Sequence, residues 1–193
     1  VLKVGEMEPP RATEDEVRIR VRSSGVNPAD VKLRSGASNY GYNFQLVIPN
    51  SDGAGIVDQV GFNVPKSLMN KRVWFFNGQR LGRAHGSAAE FIALDKNFVT
   101  PLADDISFEE GATLGIPAMT AYHSVFSDGP VSGKTILVTG GSGAVGFYAV
   151  SLASWGGAKV IATVSNSNKA QNAILGGAKD TINYKTEDII TRV

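Results

Sequence analysis

The run Gly140-Gly141-Ser142-Gly143-Ala144-Val145-Gly146 follows five residues of strand type, Thr135-Ile136-Leu137-Val138-Thr139, and opens onto an apolar stretch. Its Gly141-x-Gly143-x-x-Gly146 spacing is the one a backbone needs to cradle a pyrophosphate. Gly141 is read as the tight turn, Gly143 as the point where main chain approaches the phosphates, and Gly146 as the point where the helix lies close to the strand. Ser142, Ala144 and Val145 complete the loop. The free N–H groups and positive dipole end of the helix that follows favour an anion there. Because the motif leaves a strand, enters a helix and begins a βαβ unit, it reads as a dinucleotide site rather than an ordinary turn.

The end of the next strand selects among dinucleotides. A site for NAD carries Asp or Glu about 20 residues past the loop, bonded to the ribose 2′-hydroxyl. Here the segment is Val164-Ser165-Asn166-Ser167-Asn168-Lys169, with no acid. Hydroxyls, amides and one cation suit a 2′-phosphate, so the expected cofactor is NADPH.

These residues need elements to hold them. From Thr135 onward strand and helix patterns alternate: strand Thr135–Thr139, helix Ala144–Ser154, strand Lys159–Val164, helix Lys169–Gly176, strand Thr181–Tyr184. That rhythm predicts a parallel sheet with helical crossovers. The first hundred residues differ. Val17, Ile19 and Val21 alternate with Arg18, Arg20 and Arg22, the period of a half-buried strand whose arginines face water. Further strands are expected at Gly55–Val60, Arg72–Phe76 and Glu90–Ala93. Asn27-Pro28, Arg34-Ser35-Gly36 and Pro49-Asn50 read as breaks between them. With no helical period in this half, an all-β, barrel-like unit is expected. Ser107-Phe108-Glu109-Glu110 has the capping-box spacing and should start a helix ending near Pro117, with another beginning at Ala118–Phe126. The expected division is 1–115 and 116–193.

Composition narrows the function classes. Nineteen Lys and Arg stand against eighteen Asp and Glu, a net charge of +1, which argues against a nucleic-acid partner held by bulk electrostatics. No apolar stretch approaches the roughly 18 residues of a membrane-spanning helix. Without cysteine, and with only His85 and His123, a structural zinc lacks ligands and a catalytic metal is not expected.

Several stretches together resemble the medium-chain dehydrogenase/reductase superfamily, in its zinc-free quinone oxidoreductase branch. They are Ser24-Gly25-Val26-Asn27-Pro28-Ala29-Asp30, Arg34-Ser35-Gly36, Ser51-Asp52-Gly53-Ala54-Gly55-Ile56-Val57, Ala88-Ala89-Glu90-Phe91, Gly115-Ile116-Pro117-Ala118-Met119-Thr120-Ala121-Tyr122, the glycine loop, and Ile182-Asn183-Tyr184 with Thr186-Glu187-Asp188. The resemblance implies a GroES-like, mainly β catalytic domain followed by part of a Rossmann doubly wound sheet. It places Asn27 and Ser51-Asp52 where zinc-dependent relatives keep Cys and a His-Glu pair. It also assigns Asn27 to the nicotinamide end and Thr120 to its ribose, with Ser165, Lys169 and Tyr184 around the adenosine 2′-phosphate. Lys32 stands where a tyrosine is common in the family.

The implied activity is hydride transfer from NADPH to a quinone or activated alkene, in the cytoplasm, by a protein that is a homodimer at full length. The alternatives are an enoyl or enone reductase, which needs a proton donor near the substrate α-carbon, and a non-catalytic, crystallin-like NADPH-binding protein. Family chains begin with a further β-hairpin and continue through three more Rossmann strands. The chain is therefore expected to be a fragment, with little quinone reductase activity by itself.

Overall fold

The structure is a computed structural model that describes residues 2–37, 44–80 and 82–193. The chain divides into two compact units, Val1–Ile116 and Pro117–Val193.

The first unit is built on a five-stranded antiparallel sheet in the order β4-β1-β2-β3-β5. Its strands are β1 (Glu16–Gly25), β2 (Asp52–Val60), β3 (Arg72–Phe75), β4 (Phe91–Asp95) and β5 (Val99–Pro101). The period-2 reading of β1 is correct: Val17 and Ile19 are fully buried and pack with Val57, Val73, Phe75, Ile92 and Leu94. On the opposite face Arg20 and Arg22 are exposed. Arg18 is drawn partly inward, paired with Asp58 at 2.9 Å, and both Arg18 and Arg20 lie over the ring of Phe91.

The expectation of no helix in this half is wrong. Pro28–Arg34 is a seven-residue helix, α1. What reads as two breaks is its start and its stop: Asn27 is the N-cap, Pro28 occupies the first helical position, and Gly36 follows the end at φ +74°. Asp30, three residues past the cap, accepts the Asn27 N–H at 2.8 Å. The helix is too short to display a hydrophobic period, and only its caps reveal it. β2 also starts three residues earlier than expected, at Asp52, and β5 has no sequence signal beyond three residues ending in proline.

Ser107 and Glu110 form the expected capping box, but the helix they start, α2, spans only Phe108–Gly111. A wide turn at Leu114–Ala118 follows, with Gly115 outside helical geometry and Pro117 within it, before α3 (Met119–Phe126).

In the second unit β6 (Thr135–Val138), β7 (Lys159–Val164) and β8 (Asp180–Asn183) form a parallel sheet in that order, with β6 at one edge of the described strands. Helices α4 (Ala144–Trp155) and α5 (Ser167–Leu175) are the crossovers, and α6 is the turn Ile189–Arg192. The alternating pattern expected from Thr135 onward is present almost residue for residue. β7 is buried from Val160 to Val164, as a central strand covered on both faces should be. Val138, Val150, Ala153, Val160, Ala162 and Val164 are the centre of this core.

Candidate functional site

In the second unit the loop 140–146 leaves the carboxyl end of β6 and becomes α4, whose N-cap is Gly143. Two of the three glycine roles need correction. The left-handed turn is made by Gly140, at φ +66°, and not by Gly141. Gly141 is needed for packing, since a Cβ there would lie 2.6 Å from the Cβ of Ala162 on β7. At Gly146 a Cβ would lie 2.1 Å from the carbonyl oxygen of Gly140, so this glycine lets the helix close onto the loop rather than onto the strand. At Gly143 a Cβ would meet nothing nearer than 3.4 Å. That is an ordinary contact, and Gly143 is exposed, so a ligand can approach the backbone there.

The loop is fastened to β7. Gly140 donates its N–H to Thr163 Oγ1 and Gly141 donates to the Thr163 carbonyl, both at 3.0 Å. Two residues beyond Thr163 lies the partly exposed Ser165, and Asn166 caps α5 by accepting the N–H of Lys169 at 2.9 Å. Lys169 is exposed in the first turn of α5. Tyr184, half-exposed just past β8, donates its N–H to the Val164 carbonyl at 3.1 Å. The fold therefore brings the glycine loop, Ser165, Lys169 and Tyr184 to the same carboxyl ends of parallel strands. Ligands bind at that end of such sheets. Thr120 lies on α3 with its side of the helix exposed.

Asn27 is in the first unit and is nearly fully buried. Its Nδ2 donates to Asp52 Oδ2 at 2.8 Å, and the N–H of Ile116 donates to the same oxygen at 2.7 Å. Asp52 Oδ1 is buried with no hydrogen-bond partner among the described residues, and a Cβ on Gly115 would lie 2.2 Å from it. Burial pushes the Asp52 carboxyl up to about 6. Ser51, also buried, shares its one hydroxyl proton between the Gln79 carbonyl at 3.1 Å and Asp30 Oδ1 at 3.3 Å. Residues that the resemblance places at lost ligand positions are thus an internal hydrogen-bonded network, with Asp52 at its centre. His85 and His123 are both exposed, and the described residues contain no group of three or more His, Cys, Asp or Glu able to hold a metal. Nor do they contain a helix long and apolar enough to cross a membrane.

Residues 13–104, from before β1 through β5, match the alcohol dehydrogenase GroES-like domain family. This stretch is a GroES-like domain. The GroES-like stretch and the parallel unit that follows it have counterparts in the same relatives. The chain is 32% identical over 188 residues to a quinone oxidoreductase of Rattus norvegicus, covering 95% of this chain and 54% of that protein. It is 33% identical to a 2-methylene-furan-3-one reductase of Solanum lycopersicum, covering 93% and 47%. The crystal structure of Escherichia coli quinone oxidoreductase complexed with NADPH superposes with a TM-score of 0.82 at 29% identity, covering 97% of this chain and 56% of that one. The chain spans about half the length of the relatives it matches. The resemblance to the quinone oxidoreductase branch of the medium-chain dehydrogenase/reductases holds, and so does the expected fold class, a GroES-like β unit followed by part of a Rossmann sheet.

Proposed function

We propose that the protein is an NADPH-dependent oxidoreductase that passes hydride to a quinone or an activated alkene without zinc. The observation that carries this reading is the fastening of an open glycine loop to a strand end that has hydroxyls, amides and a lysine but no acid. When bound, the cofactor supplies a hydride from C4 of its nicotinamide.

The chain's own residues have binding and orienting roles. The N–H groups of Ala144, Val145 and Gly146 in the first turn of α4, free of intrahelical partners, receive the pyrophosphate, and Gly141, Ser142 and Gly143 shape the loop that presents them. Ser165 and Lys169 hold the 2′-phosphate, and Tyr184 flanks it. Thr120 at the ribose, and Asn27 at the nicotinamide end with its amide oriented by Asp52, are assigned on the resemblance. A quinone is already electrophilic, so holding it beside the cofactor away from water is the main demand on the protein. The likeness to a furanone reductase supports a second reading within the class, an enone acceptor. A cytoplasmic setting and a homodimer at full length belong to the same proposal.

Titration with NADPH and NADH tests it, with clear preference for NADPH expected and equal affinity counting against it. NADPH oxidation by a quinone against a conjugated enone, in a chain carrying the relatives' full length, then separates the two acceptors.

A further inference from the structure

Thr163 interrupts the otherwise apolar buried run 160–164 of β7. Val160, Ile161, Ala162 and Val164 surround it in sequence, all are buried, and Thr163 itself is only 3% exposed. A hydroxyl in such a place needs a partner, and valine would suit the strand at least as well. The partner is the glycine loop. Oγ1 accepts from Gly140 and the Thr163 carbonyl accepts from Gly141, so two successive peptide N–H groups converge on one residue of the neighbouring strand.

The linkage continues from Gly140. Its carbonyl accepts the N–H of Gly143 at 2.9 Å, and that same oxygen is what a side chain at Gly146 would strike. The N-cap and first turn of α4 are therefore seated on Gly140, and Gly140 is seated on Thr163. In the other direction, Thr163 is opposite Ile182 on β8 and precedes Val164, whose carbonyl receives the Tyr184 N–H. One side chain stands between the loop and the Ser165–Lys169 segment.

We propose that Thr163 is a positioning residue for the cofactor: it holds loop 140–146 in register with residues 165–169 and so sets the preference for a dinucleotide bearing a 2′-phosphate. This rests on the reading of the loop as an NADPH site. The physical reason is that NADH needs only the loop, whereas NADPH must satisfy the loop and the 2′-phosphate contacts at once. A loosened loop weakens both cofactors, but it removes the match between two anchor points only for NADPH.

Thr163→Val keeps the shape and removes the acceptor, while Thr163→Ser keeps the acceptor. Each is titrated with NADPH and NADH as the 193-residue chain, with tryptophan fluorescence as the signal. The valine variant should lose about tenfold or more in NADPH affinity and no more than about threefold in NADH affinity, and the serine variant should stay close to wild type for both. An unchanged valine variant, an equal loss for the two cofactors, or a serine variant as weak as valine overturns the inference. Where the valine variant does not fold, hydrogen exchange at the Gly140 amide of the wild type decides. Protection without cofactor that rises more with NADPH than with NADH supports the role, and an unprotected amide or an equal rise overturns it. A wild-type chain that binds neither cofactor overturns the dinucleotide reading itself, before any variant is compared.

Discussion

The carboxamide of Asn27 donates to the carboxylate of Asp52 across 2.8 Å, joining the N-cap of α1 to the first residue of β2 inside the core of the GroES-like unit. Asp52 also receives the N–H of Ile116, so one carboxylate oxygen holds three segments of chain.

The first prediction concerns pH. Burial is the largest influence on Asp52, pushing it up to about 6; the Ile116 N–H and the Asn27 amide oppose the rise, Asp30 adds to it and Arg80 eases it. An unfolded Asp titrates near 3.9. Between about pH 4 and 6 the native state therefore holds a proton that the unfolded state has lost, and stability falls as pH rises through that window. Asp52→Asn removes this slope. By pH 7 the asparagine variant should have gained up to about 3 kcal/mol on wild type relative to pH 4. Urea unfolding of both at a series of pH values measures it, and parallel curves would contradict the assignment.

Gly115 faces the unpartnered oxygen of Asp52. Gly115→Ala puts a methyl group where the structure leaves 2.2 Å, and should destabilise the unit by about 1–3 kcal/mol. The loss should shrink when Asp52 is truncated to alanine, so a double-mutant cycle gives a non-zero coupling. Additive losses would mean that the two positions do not touch.

Gly146 and Gly143 should separate folding from binding. Gly146→Ala drives a Cβ into the Gly140 carbonyl and is expected to lower both thermal stability and NADPH affinity. Gly143→Ala makes only an ordinary contact, 3.4 Å from the Gly140 carbonyl oxygen, so its stability should stay within about 0.5 kcal/mol of wild type while NADPH affinity falls. Retained affinity in Gly143→Ala would remove the pyrophosphate from that face of the loop.

Lys169→Ala tests the 2′-phosphate assignment. Loss of one charge-assisted hydrogen bond, roughly 1.5–3 kcal/mol, should weaken NADPH about ten- to a hundredfold and leave NADH nearly unchanged. Calorimetric titration with both cofactors is the measurement.

Extensively dialysed protein should retain no stoichiometric zinc by elemental analysis. Asn27 and Ser51, which stand where zinc-dependent relatives keep ligands, are already engaged in hydrogen bonds.

Legibility in the sequence followed locality. β7 is readable to the residue because its β-branched run has strand length and is bounded by turn signals, and Asn166 marks the start of the helix that follows. α1 has too few residues, seven, to display a period, although Asn27, Pro28 and Asp30 spell its N-terminus. Asp52 was visible only as a carboxylate beside Ser51. That it is buried, with one oxygen unpartnered against Gly115, depends on residues 63 positions away, and no local pattern reports such a contact. Thr163 was hidden for the opposite reason: threonine is an ordinary strand former, and only the register of β7 against the loop turns its hydroxyl into a fastening.

The strand order of the GroES-like unit also fixes a timetable for synthesis. β1 pairs with β4, Glu16 opposite Asp95, and Val17 and Ile19 need Ile92 and Leu94 to complete their packing. At roughly 5–20 residues per second, a ribosome takes about 4–16 s to add the intervening stretch. For that interval the first strand and its apolar row are without the partner that closes them. The βαβ units of the second half have no such delay, because each strand pairs with the next one made. Chaperone capture of nascent chains should therefore concentrate on lengths before Asp95 has emerged, and subside once β4 is available.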